Sequence, residues 1–370
     1  MKSSPKLHSL QAFRGFFTIM VLLYHLKTIC LQKFHYDPSY GLMEWAYGSL
    51  EFFFILSGFV IYYVHRGDIG HPERFKSYAT KRLIRIYPIY WVVLAAVLPV
   101  YFLVPSFGDQ TGRTPLHLIE SIFLLPPRQI GQIVTVAWTL SYEMWFYVIF
   151  GIAILISRRA SMILVSTIAA VSLFFFGTQM AHVTAFTSNS VVESVFSFMN
   201  IDLLLGVLAA EIVWRGGVKM PRAVLAVGVV LFLLGAVLEV RLRSEFPIEH
   251  RLASFAFAAF LVLVGAVTLE MQGRLSFPWI LQYLGEASYS IYITHFILLS
   301  MFAKVLLTLH AFSFLGVALN TLLLLVLTVG SGLLTYAFVE FPLLELCRRT
   351  FLPAKVKVAV PAVAPETAAA

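Results

Sequence analysis

The chain has 370 residues, of which 59% are hydrophobic and only 12% charged, and its formal net charge is +8. An ordinary soluble domain carries about 25% charged residues, so this composition excludes a soluble globular protein and leaves a polytopic membrane protein. The positive balance is not a nucleic-acid signal, because in a membrane protein the distribution of Lys and Arg between loops matters more than their sum.

A span needs about 20 apolar residues, and the hydropathy predicts about ten, at 10–30, 46–65, 84–104, 135–156, 161–177, 196–214, 222–240, 252–271, 282–306 and 313–338. The fold class expected is therefore an all-α, polytopic transmembrane helical bundle. With both termini in the cytoplasm, the inner side receives Lys2, Lys6, the cluster from Arg66 to Arg85, Arg158, Arg159, Arg215, Lys219, Arg222, Arg274, Arg348, Arg349, Lys355 and Lys357. The outer side receives fewer: Lys27, Lys33, Arg113, Arg128, Arg241, Arg243, Arg251 and Lys304. That asymmetry sets the orientation. Residues 1–346 read as one integral-membrane domain and 347–370 as a short cytoplasmic tail. Cys30 and Cys347 fall on opposite sides, so neither a disulfide nor a metal site is expected.

Arg14 and His25 stand eleven residues apart in the first span, LQAFRGFFTIMVLLYHL. That separation turns through about 1100°, three turns and roughly 20°, and rises about 16 Å, so the two share a face, one near each end of the span. Ionisable groups inside a membrane are costly and as a rule face a cavity. At the start of the third span, FKSYATKRLIRIYPIYW puts Lys81, Arg82 and Arg85 on one helix face. They are either a positive-inside anchor or, with Arg14 near the same inner face, a clamp for a polyanion, since a guanidinium fork suits phosphate.

Depth along each span supplies a second test. His25 lies roughly 7 Å from the outer face, Glu51 about 8 Å, His295 about 10 Å and Glu143 about 12 Å. Four titratable groups thus reach one level, with Asp202 of the sixth span, about 15 Å down, a candidate fifth. For His295 and Asp202 alone, a hydrogen bond to a neighbouring helix explains the residue equally well. Ser141, Tyr142, Ser288 and Tyr292 also fit simple interhelical hydrogen bonding. On these residues an enzyme and a transporter with a proton relay both stay open.

Taken together, these segments resemble the acyltransferase 3 family. The Arg14 to His25 spacing is similar to its first-helix signature. FFFILSGF (Phe52 to Phe59, with Glu51 at the acidic position) and KRLIRIYPIYW, with Arg82 and Arg85 as the paired arginines, follow in the family's order. Next come WTLSYEMWFY (Trp138, Ser141, Glu143, Phe146, Tyr147), LGEASYSIYITHF (Gly285, Ser288, Tyr289, Tyr292, His295) and VEFPLLE (Glu340, Pro342). Phe341 stands where an arginine commonly follows the glutamate, which argues against a catalytic role for that last motif. The chain resembles the stand-alone form rather than members fused to an SGNH-type esterase domain.

The resemblance implies an O-acyltransferase of a bacterial plasma membrane. It would move an acyl group, acetyl first among the candidates, from cytosolic acyl-CoA to a hydroxyl of an extracytoplasmic sugar or polysaccharide. Acyl-CoA is then a substrate, and no permanently bound cofactor or metal is implied. Its phosphates would dock on Arg82 and Arg85, helped by Lys81 and Arg14. A pantetheine arm on the order of 16–20 Å matches the rise from Arg14 to His25. His25 would be the general base, Glu143 or Glu51 would orient its imidazole, and His295 would bind the acceptor or serve a second proton transfer. Direct transfer and a covalent acyl-enzyme both remain open. The outer segment 105–134 either shapes acceptor choice or is a plain connector.

Overall fold

The computed structural model describes residues 7–104, 113–126, 131–181, 192, 195–242 and 248–352. Of the features read above, Lys2, Lys6, Arg128, Arg243, Lys355, Lys357 and the tail from Pro353 lie outside them. Among the described residues there are helices and no strands. In chain order they are α1 (His8–Phe34), α2 (Ser49–His65), α3 (Phe75–Leu103), α4 (Pro115–Phe123), α5 (Trp138–Leu155), α6 (Arg158–Met180) and α7 (Met199–Trp214). They continue as α8 (Pro221–Leu242), α9 (Ile248–Met271), α10 (Trp279–Glu286), α11 (Ser288–Thr308), α12 (Ala311–Thr335) and α13 (Phe341–Phe351). A π-helical turn, Tyr336–Glu340, joins the last two.

Among the described residues, eight helical stretches are long and apolar enough to cross a membrane. The sixth expected span is α7, a helix of 16 residues, and the eighth is α9, whose described apolar part is Phe255–Met271. The ninth differs from its expectation: instead of one helix over 282–306, the chain breaks at Ala287, between α10 and α11. Just before the break α10 packs closely on α1. A Cβ on Gly285 would collide with the carbonyl oxygen of Gln11, so the two backbones touch as small residues allow in membrane bundles. The same device joins α2 to α7, where a Cβ on Gly206 would strike the carbonyl oxygen of Ile55.

Helix ends inside this bundle need distant partners, because the first amides and last carbonyls of a helix have none of their own. At the start of α1 the Glu270 carboxylate, from the end of α9, accepts the N–H groups of His8 (2.6 Å) and Ser9 (3.0 Å). The Ser9 hydroxyl donates to the same carboxylate. The C-terminal carbonyls of α4 are met by aromatic side chains of α3. Tyr87 donates to Phe123 (2.9 Å), Trp91 to Ile122 (2.9 Å) and the Tyr90 hydroxyl to Ser121. Thus α4 is pinned against α3, and the segment after it enters a core with Ile133, Val134, Val136 and Ala137 buried.

Candidate active site

The α2 sequence divides into two stripes. Leu50, Phe53, Phe54 and Ser57, at i, i+3, i+4 and i+7, form one helix face and line a cavity of about 190 Å³. Three guanidiniums reach that cavity: Arg14 from α1, and Arg82 and Arg85 from α3. Glu143 of α5 lines it too, accepting hydrogen bonds from the Tyr147 hydroxyl (2.5 Å) and the Ser57 hydroxyl (3.3 Å). Arg82 sits over the rings of Tyr78 (5.9 Å) and Tyr147 (5.5 Å), a cation–π arrangement. Arg85 lies over Tyr289 (5.4 Å) and bridges to the buried Glu340 at 2.8 Å. With Arg85 paired by Glu340, the lining still holds two further arginines against one carboxylate. The chamber is built for an anion.

Beyond it lies a smaller pocket of about 50 Å³, walled by His25, Val21, Ala46, Tyr47, Val136 and Trp138. Leu50 and Tyr292 line both spaces, so the two adjoin across those side chains. His25 faces His295 with ring centroids 5.1 Å apart. The Nδ1 of His295 lies 2.5 Å from the carbonyl oxygen of Tyr292. A carbonyl only accepts, so Nδ1 carries the proton of the neutral ring and Nε2 is left as the basic nitrogen. That Nε2 is buried and has no hydrogen-bond partner in the protein. Tyr292 itself is fixed through its hydroxyl, which meets Thr139 (2.8 Å) and donates to Val136 (3.2 Å).

This arrangement departs from the expected single layer. His25 and His295 come together, but Glu143 joins the arginines instead. Glu51 lies on the other stripe of α2 with Ile55 and Gly58, against α7, and lines neither space. It is fully buried within electrostatic reach of Asp202 and Glu239, and neither Glu51 nor Asp202 has a hydrogen-bond partner for its carboxylate oxygens. Depth gave its level but not its azimuth. Lys81 is exposed and absent from the lining: the cavity face runs through Arg82, Arg85 and Ile86, and Lys81 is one helical step, about 100°, off Arg82.

Ser141 is a structural anchor: its hydroxyl accepts from Gln132 Nε2 (2.9 Å) and donates to Leu125 (3.4 Å), fastening the segment before α5. Tyr142 packs edge-on against Trp138 (5.8 Å) and Phe54 (6.1 Å), whereas Ser288 lines the arginine cavity. Sequence reasoning placed Tyr147 and Glu340 in the family motifs without giving either a role in the site, and it did not single out Ser57. Only Glu340 had a clear signal, a carboxylate set in an apolar run.

Comparison with known proteins gives the family. The profile of the acyltransferase 3 family, described as an acyltransferase domain, matches residues 7–338. The exopolysaccharide production protein ExoZ of Rhizobium meliloti (strain 1021) is 29% identical over 311 residues, covering 80% of this chain and 89% of the relative. No solved structure matches. Between the two classes left open by the residues, family membership selects the enzyme over the carrier: the chain is a membrane protein of the acyltransferase 3 family.

Proposed function

We propose that the protein transfers an acyl group, acetyl in the simplest case, from cytosolic acyl-CoA to a hydroxyl of an extracytoplasmic sugar or polysaccharide. Its place is the bacterial plasma membrane, with the N-terminus inside. The observation that carries this reading is the pair of adjoining spaces, one lined by arginines and one by His25, with Leu50 and Tyr292 common to both. The ExoZ relative, by its name a protein of exopolysaccharide production, supports a glycan acceptor.

In this reading Arg14, Arg82 and Arg85 hold the donor's phosphates, since charge-assisted bonds from planar forks are the strong ones. Lys81, exposed at the helix surface, takes no part beyond general attraction. The pantetheine arm passes Leu50 and Tyr292 and brings the thioester beside His25. The acceptor hydroxyl attacks the thioester carbonyl carbon as its proton passes to the His25 imidazole. The carbon–sulfur bond then breaks, and the leaving thiolate takes a proton to leave as free CoA. The residue beside His25 is His295, with ring centroids 5.1 Å apart, in place of a carboxylate. Glu143 acts on the donor side, holding Arg14 and Tyr147 in register.

The test uses purified protein in lipid nanodiscs with radiolabelled acetyl-CoA and an envelope-glycan fraction. Wild type transfers label or slowly hydrolyses the thioester. His25→Ala inserts normally, binds acetyl-CoA, and loses about 10²–10⁴-fold in transfer, the range of a general base. Full transfer by His25→Ala would remove the base assignment, and no binding or turnover by wild type would remove the donor.

A further inference from the structure

Glu340 has no part in the scheme above, yet it is fully buried and makes three polar contacts across three elements. Its Oε1 pairs with Arg85 Nη1 of α3 at 2.8 Å. Its Oε2 accepts the backbone N–H of Ser290 (3.1 Å) and the Ser290 hydroxyl (2.6 Å). Ser290 is the third residue of α11, and Ala287 before that helix offers no side-chain cap. One carboxylate therefore caps the N-terminus of α11, where a negative charge is favoured, and holds the guanidinium of Arg85. It is delivered there by the π-helical turn Tyr336–Glu340, a departure from α-helix that frequently marks functional sites.

The geometry has a consequence for the arginine chamber. Tyr289, Ser288 and Tyr292 of α11 line that chamber together with Arg85. The Tyr289 ring lies under the Arg85 guanidinium (5.4 Å), and its hydroxyl donates to the Ile86 carbonyl (3.0 Å). Arg85 is thus gripped by a carboxylate and an aromatic face. A guanidinium has five N–H donors, so those not given to Glu340 remain for an anion. We infer that Glu340 is a positioning residue: it fixes Arg85 and the start of α11 so that the chamber presents a preset fork to the donor's phosphate. The inference rests on the acyl-CoA reading. It assigns the last motif a role despite Phe341 standing where the family's arginine would be, because the work is done by the carboxylate alone.

The experiment measures acetyl-CoA affinity and turnover in nanodiscs for wild type, Glu340→Gln, Glu340→Asp, Ser290→Ala, Arg85→Ala and the double variant Arg85→Ala with Glu340→Gln. Glu340→Gln should weaken acetyl-CoA binding about tenfold, with kcat changed much less, and Glu340→Asp should recover part of the loss. Ser290→Ala should leave affinity within about twofold. In the Arg85→Ala background Glu340→Gln should add nothing, as expected when one group acts through the other.

An unchanged affinity in Glu340→Gln, or a further tenfold loss in the double variant, would overturn the assignment. Should Glu340→Gln fail to accumulate, the double variant decides, because removing both partners leaves no uncompensated buried charge. Its accumulation with the affinity of Arg85→Ala supports positioning, and its failure makes Glu340 purely structural. Absence of acetyl-CoA binding by wild type is a distinct outcome that removes the donor reading itself.

Discussion

The two adjoining spaces differ in what their walls are made of. The inner one, about 190 Å³, gathers Arg14, Arg82, Arg85 and Glu143. The outer one, about 50 Å³, is mainly apolar and aromatic, with His25 on its wall and His295 behind it. Charges in a low-dielectric interior persist only where they are paired or await a ligand of opposite sign. Around the smaller space stand imidazoles in place of those permanent charges. The proposed division between donor binding and acyl transfer follows that contrast, with Leu50 and Tyr292 at the border.

Perturbing the inner chamber gives the sharpest contrast. Arg82→Ala with Arg85→Ala removes two charge-assisted partners, each worth about 1.5–3 kcal/mol. Acetyl-CoA affinity should fall at least 100-fold by equilibrium binding, while His25→Ala leaves that affinity near wild type. Equal losses in both variants would erase the border. Opening the border comes next: Tyr292→Ala should let longer acyl-CoAs compete with acetyl-CoA in a transfer assay, and an unchanged chain-length profile would show that the limit lies elsewhere. The two carboxylates of the depth argument then separate. Glu143→Gln should weaken acetyl-CoA binding about five- to tenfold, taking one hydrogen bond as about 1 kcal/mol, and Glu51→Gln should leave it within about twofold. The smallest effect is expected from Ser141→Ala, which loses about 1 kcal/mol of stability in a thermal melt and leaves donor affinity unchanged.

Much of the fold was readable because the bilayer imposes one constraint, satisfied backbone in a long apolar helix, and hydropathy reports it directly. The expected spans fall on helices wherever the chain is described. The interruption at Ala287 was not readable, nor was the close approach of Gly285 to Gln11 beside it, a contact between residues far apart in sequence. In the site, the spacing of Arg14 and His25 located both spaces. The depth of Glu51 misled because distance along a helix says nothing of direction around it. The sequence did hold the missing angle, since Leu50, Phe53, Phe54 and Ser57 form a stripe that excludes Glu51. Glu340 was discounted for its neighbour Phe341, and only the fold reveals that its partners are Arg85 and Ser290.

The carboxylate of Glu270 at the head of α1 ties the timing of assembly to the geometry of catalysis. Domains form N-terminal first during synthesis, so α1 emerges when residue 270 does not yet exist. Until α9 arrives, the amides of His8 and Ser9 lack the partner that fixes where the helix begins, and the heights of Arg14 and His25 are set by hydropathy alone. The first helix to be made thus gains the carboxylate cap of His8 and Ser9 only when most of the chain is in place.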